Sequence, residues 1–148
     1  MDESTRVRRV TLLSTTASSF LTPFMGSALN VALPSIGKEF GATALMLGWV
    51  STAYLLSSAM FLVPFGKLAD ISGRKRVFVG GLVLFGLGAL FSGLAPSLPW
   101  LIAFRAFHGI GGAMIFGTGV AILTAAFPPQ ERGRVLGINV ASVYTGLS

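Results

Sequence analysis

Gly66-Lys67-Leu68-Ala69-Asp70-Ile71-Ser72-Gly73-Arg74-Lys75-Arg76 gathers Lys67, Asp70, Arg74, Lys75 and Arg76 into one short stretch. The tracts on either side, between Glu39 and Lys67 and between Arg76 and Arg105, carry no charge at all. Each is longer than the roughly 20 residues that carry a helix across about 30 Å of hydrocarbon. Two further neutral tracts run from Val10 to Gly37 and from Arg105 to Glu131. Buried core helices of a soluble protein would need an amphipathic shell around them, and four such tracts have none. The composition agrees: 53% of the 148 residues are hydrophobic and 11% are charged, against about 25% charged in soluble domains. The fold class expected is all-α, a polytopic transmembrane helix bundle that crosses the bilayer at least four times.

The net charge of +6 is placed by topology rather than spread as a nucleic-acid footprint. Arg6, Arg8 and Arg9 precede the first span, Lys38 and Glu39 cancel after it, and the Gly66–Arg76 stretch follows the second. The connection from Ala95 to Trp100 is uncharged, and Glu131, Arg132 and Arg134 follow the fourth span. Positive charge thus marks the amino terminus and every second loop, which the positive-inside rule assigns to the cytoplasm. The expected location is the cell membrane, multi-pass, with a cytoplasmic amino terminus. The first tract has the basic start of a secretory signal but runs past the roughly 7 to 15 apolar residues of a signal core, so it reads as an uncleaved helix. Cysteine is absent, which removes disulfides and thiolate metal sites.

These tracts predict helices at about Val10 to Ile36, Leu45 to Ala69, Val77 to Leu94 and Leu98 to Phe127, with a fifth from about Arg134. The residues after Arg134 extend only about 21 Å at a rise of 1.5 Å each, so the fifth helix reads as cut off inside a span. Residues 1–148 form one helical unit without a linker or soluble domain. Pro23, Pro34 and Pro64 lie in or at the ends of apolar runs, where they bend helices by freeing carbonyls. Gly109, Ala113, Gly117 and Ala121 recur every fourth residue, a stripe on which a neighbouring helix should pack.

The Gly66–Arg76 stretch reads physically as a tight cytoplasmic connection. Gly73 supplies the left-handed backbone that a short turn between helices needs. Asp70 can meet Arg74 or the positive end of another helix; an ordinary positive-inside loop with one acid would look the same. The stretch resembles the signature loop of the major facilitator superfamily through Gly66, Leu68, Asp70, Gly73, Arg74 and Lys75, placed between the second and third helices. Asn30-Val31-Ala32-Leu33-Pro34 resembles the end of the first helix in the drug:proton antiporters of that superfamily. Trp49-Val50-Ser51-Thr52-Ala53-Tyr54-Leu55-Leu56 is similar to the second-helix signature of their fourteen-helix branch, and Arg105-Ala106-Phe107-His108-Gly109-Ile110-Gly111-Gly112-Ala113 resembles the fourth-helix arginine motif. The four motifs occur in order from the first helix onward.

Arg105 is the charge inside an otherwise neutral region, where an ionisable group is a functional hypothesis by default. Snorkelling toward the interface marked by Trp100 is the competing reading. The four-residue spacing of Arg105, Gly109 and Ala113 favours a packed or cavity-facing position, and the resemblance implies a central-cavity arginine that takes part in proton coupling. His108, one turn on, can titrate near neutral pH or serve as a hydrogen-bonding spacer; the family usually has glutamine there. Asn30 can bond across helices or to a ligand. Many proton-driven relatives carry an aspartate at the position of Met25, whereas this first helix holds no acid, which puts cation specificity in doubt.

Gly109-Ile110-Gly111-Gly112 lies within a helical run and follows no strand, so it is not a dinucleotide loop. Neither a metal-ligand cluster nor a nucleophile with a base nor a carboxylate pair is present, so neither an enzyme nor a cofactor is expected. The resemblance implies the amino-terminal portion of a transporter that moves drugs or other small molecules outward by alternating access, with protons as the coupling ion and Gly66, Asp70, Gly73, Arg74 and Lys75 as a cytoplasmic gating loop. Its partners would be the lipid bilayer, the small-molecule substrate, protons and the remainder of the transporter, with no nucleic acid. An importer or symporter of the same fold, or a truncated subunit that does not transport, are the alternative readings.

Overall fold

Apolar runs bounded by charge and glycine wind into five helices in the computed structural model, which describes residues 3–148. They are α1 (Glu3–Phe40), α2 (Ala44–Ser72), α3 (Arg74–Gly93), α4 (Leu98–Ala126) and α5 (Pro129–Leu147). No strand occurs among the described residues. Helices satisfy their backbone polar groups internally, which is why they suit a bilayer.

Four of the five helices extend past the expected bounds at one end or both. α1 starts before Val10 and runs past Ile36, α3 begins at Arg74 rather than Val77, and α5 begins at Pro129 rather than Arg134. Charged side chains at the ends were read as loop, yet arginine and lysine are good helix formers. Gly73 alone separates α2 from α3, at φ 99° and ψ 123°. Its φ is positive as expected, but its ψ lies well away from the left-handed helical basin near 47°. The helices continue through Pro23, Pro34 and Pro64.

α2, α3 and α4 are each long and apolar enough to cross a membrane. α1 exceeds them in length at 38 residues but is diluted by hydroxyls, so three helices rather than four meet the criterion of length and apolarity among the described residues. Those hydroxyls are folded back: Thr15 donates to the Thr11 carbonyl at 2.8 Å, Ser18 to Ser14 at 2.6 Å and Thr22 to Ser18 at 2.7 Å. All three side chains are buried.

α4 is the axle of the bundle and touches each of the other four helices. Its Gly109 and Gly117 face α2, as the stripe predicted. A Cβ at Gly109 would collide with Ser57 and the Tyr54 backbone, and one at Gly117 would lie 3.5 Å from the Leu62 carbonyl. A second close approach, to α3, was not foreseen. A Cβ at Gly111 would lie 2.5 Å from the Phe85 nitrogen, and one at Gly88 would lie 2.6 Å from the His108 Cα. α5 packs on α1, where Asn139 Nδ2 donates to Ser19 Oγ at 2.8 Å.

The chain runs up and down between two apolar ends. Val50, Leu98 and Leu101 gather the end of α1, the starts of α2 and α4 and the Ala95 connection. Leu123, Phe127 and Val135 gather the opposite end with Leu12. Gly111→Val should lower the thermal midpoint of the full-length protein in detergent, since overpacking a tight contact costs about 1–3 kcal/mol. Gly86→Ala, at an exposed helical site with nothing within 4 Å of the new methyl, should leave the midpoint unchanged or raise it; equal losses in both variants would refute the close-approach account.

Candidate functional site

The Arg105 side chain projects from the first third of α4 into the bundle and is 4% exposed. Its surroundings replace solvent by two contacts. Its NH1 lies 2.7 Å from Nδ1 of His108, one turn along the same helix. An arginine can only donate, so Nδ1 is the acceptor and the imidazole proton sits on Nε2. The guanidinium carbon lies 4.6 Å from the centre of the Tyr54 ring, supplied by α2. Even at the bilayer centre a charge costs about 2.5–3.5 kcal/mol on insertion scales, and a desolvated cation–π contact of about 2 kcal/mol with a charged hydrogen bond of about 1.5–3 kcal/mol is large enough to offset that without a carboxylate.

His108 is fully buried and clamped between rings, with centroids 4.0 Å from Phe85 of α3 and 5.3 Å from Tyr54. The register that allows this comes from Gly88, whose missing side chain lets α3 lie against the His108 backbone. On the α2 side, Ser58 Oγ donates to the Gly109 carbonyl at 2.7 Å and ties α2 to α4 one turn from Arg105. Nε of Arg105 and Nε2 of His108 are buried with no hydrogen-bond partner among the described residues.

Arg105 lines two cavities. One, about 390 Å³, lies among α1, α3 and α4 and is walled by Met25, Ala32, Glu39, Ser92 and Arg105. The other, about 350 Å³, lies among α1, α2 and α4, with Thr22, Ser27, Asn30, Ser51, Tyr54 and Arg105 in its wall. Both fall in the size range of small-molecule sites. Asn30 and Arg105 therefore share a cavity, while His108 stands behind Arg105 in the packed interior. Arg105 is enclosed by helices and does not snorkel. Met25 packs against Phe78, Phe85 and Ile115. Tyr54, Ser58 and Phe85 were not singled out from the sequence; Tyr54 lies inside the quoted second-helix motif, but no spacing within α2 points to a partner on α4.

The Gly66–Arg76 residues form a separate group at the opposite end from Trp100. Asp70 Oδ1 accepts from NH2 of Arg74 at 3.1 Å, with both side chains largely exposed. NH1 of the same arginine lies 3.4 Å from the Ala121 carbonyl near the end of α4, where the helix dipole favours a cation. Lys75 is exposed, and the Gly66 nitrogen would lie 3.7 Å from a Cβ placed at Gly117.

Residues 15–148 match the family model of the Major Facilitator Superfamily. The cephamycin export protein CmcT of Amycolatopsis lactamdurans is 42% identical over 128 residues, which cover 86% of this chain and 26% of that protein. The multidrug resistance protein Stp of Mycobacterium tuberculosis is 37% identical over 142 residues, covering 95% of this chain and 26% of Stp. The riboflavin transporter RibZ of Clostridioides difficile is 35% identical over 127 residues, 86% of this chain and 28% of RibZ. The chain thus spans between a quarter and a third of the length of these curated relatives. A crystal structure of a bacterial homologue of the human lysosomal transporter Spinster, inward-facing and occupied, superposes with a TM-score of 0.85 at 25% identity, over 94% of this chain and 30% of that one. With the four ordered motifs now placed on a matching helical frame, the chain belongs to the major facilitator superfamily of multi-pass membrane transporters.

Proposed function

We propose that residues 1–148 are the amino-terminal part of a proton-coupled exporter of drugs or other small molecules, working by alternating access in the cell membrane with its amino terminus in the cytoplasm. The observation that carries this reading is the buried Arg105 guanidinium, held by His108 and Tyr54 in the wall of two cavities. Charge is retained inside a membrane bundle at a cost that function has to justify. Export is supported by the name of CmcT, and a drug as the cargo by the resistance named for Stp and for the puromycin resistance protein pur8 of Streptomyces alboniger, 35% identical over 123 residues. The orientation is supported by Arg6, Arg8 and Arg9, the Gly73 junction and the Glu131–Arg134 group lying toward one end of the bundle.

In this reading Arg105, His108 and Asn30 serve transport and proton coupling, and Gly66, Asp70, Gly73, Arg74 and Lys75 gate the cytoplasmic side. A gate works by contacts that differ between two states. The Asp70–Arg74 pair is exposed and within one stretch of chain, so it contributes at most about 1 kcal/mol to the fold. Its value would then lie in the contacts it makes or loses as the transporter switches. A second reading, uptake or symport in the same fold, is equally compatible with the likeness to RibZ, whose name states transport without a direction.

The test is flux in proteoliposomes of the full-length protein under an imposed proton gradient. Arg105→Ala should bring gradient-driven flux to the level of empty vesicles while the protein still inserts; undiminished coupled flux would remove Arg105 from the mechanism. Flux directed inward under the same gradient would favour the uptake reading. Asp70→Asn should slow turnover about fivefold or more, within the range of conformational couplings, at unchanged abundance in the membrane. Turnover equal to that of the parent protein would overturn the gating role.

A further inference from the structure

The cavity among α1, α2 and α4 holds one formal charge, and it is positive. Its wall contains Arg105, the polar side chains of Thr22, Ser27, Asn30 and Ser51, and the apolar faces of Tyr54, Leu55 and Phe116. None of its lining residues is acidic. The neighbouring cavity differs on this point, because Glu39 stands in its wall.

The guanidinium has two kinds of edge. NH1 is taken by His108, and one face is covered by the Tyr54 ring. Nε carries a proton, is buried, and has no hydrogen-bond partner among the described residues. The side bearing Nε and NH2 is one that grips a planar oxyanion with two parallel hydrogen bonds. A buried donor left without an acceptor is costly, more so when it belongs to a charged group. His108 cannot supply the missing acceptor, since its remaining nitrogen, Nε2, holds the imidazole proton when Nδ1 accepts.

Resting on the reading of this cavity as part of the transport path, we infer that the α1–α2–α4 cavity binds small molecules through a carboxylate or similar planar oxyanion. The oxyanion takes the part of the guanidinium that His108 leaves free, Asn30 and Ser51 supply further polar contacts, and the aromatic or apolar body of the ligand lies along Tyr54, Leu55 and Phe116. The cavity volume of about 350 Å³ suits a body of one or two fused rings. A cationic drug would meet an unscreened like charge there, and no carboxylate in the wall would offset it.

The experiment compares 1-naphthoate with 1-naphthylmethylammonium, matched in shape and opposite in charge, by calorimetric binding to the full-length protein in nanodiscs and by flux in proteoliposomes. Naphthoate should bind at least about tenfold more tightly than the ammonium compound, as charged hydrogen bonds of this kind allow. Arg105→Gln should abolish that preference. Arg105→Lys, which keeps the charge but not the two-donor edge, should retain the sign of the preference and lose much of its size; this variant guards against a misfolded Arg105→Gln. Equal or tighter binding of the ammonium compound, or a naphthoate preference untouched by Arg105→Gln, would overturn the anion site. Flux of the ammonium compound with no naphthoate binding would overturn it while leaving the transport reading intact. Arg105-dependent naphthoate binding with no flux of either compound would support the anion site and count against transport.

Discussion

The bundle depends on how closely three helices approach one another along α4. Where α4 has glycine it meets α2 at Tyr54 and Ser57, and α3 at Phe85. Within a bilayer no hydrophobic force drives helices together, so short backbone separations and the dispersion contacts they permit supply the association. That same closeness sets the register of side chains beside it. Arg105 and His108 sit among these glycines, and their partners Tyr54 and Phe85 come from the two helices that the glycines admit.

A buried guanidinium without a carboxylate is an uncommon solution to a desolvation problem. Here the charge is accommodated by a neutral nitrogen and an aromatic face, both of which stabilise the cation without cancelling it. The field of Arg105 therefore remains uncancelled beside the two cavities that it lines. A salt bridge in the same place would have closed that field on itself. The hydroxyls of Thr15 and Ser18 in α1 do the opposite, since they donate their protons to carbonyls of their own helix and present little polarity to their neighbours.

Much of this was legible in the chain. Charge spacing pointed to an all-α bundle of five helices and the glycine stripe to a packed side of α4, because both depend on local periodicity. Helix ends were less legible: Arg74, Lys75 and Arg76 are as compatible with a first helical turn as with a loop, and only the backbone decides. Arg105 stood out as a charge among apolar residues, but its burial depended on Tyr54, some fifty positions earlier, and on a register between α2 and α4 that no local pattern encodes. The same holds for Phe85 and Gly88, which read as ordinary apolar and small residues of α3 until His108 is placed against them. The Asp70–Arg74 pair was legible from its four-residue spacing, whereas the reach of Arg74 to the Ala121 carbonyl was not.

The junction at Gly73 makes α2 and α3 a single mechanical part. One residue joins Ser72 to Arg74, so any change in the angle between these two helices must be absorbed by a handful of backbone torsions, with φ and ψ of Gly73 the softest among them. Both helices are also pressed against α4, which leaves little freedom for sliding. A change in the α2–α3 angle therefore has to pass through this one link, with each helix still held at its own face of α4.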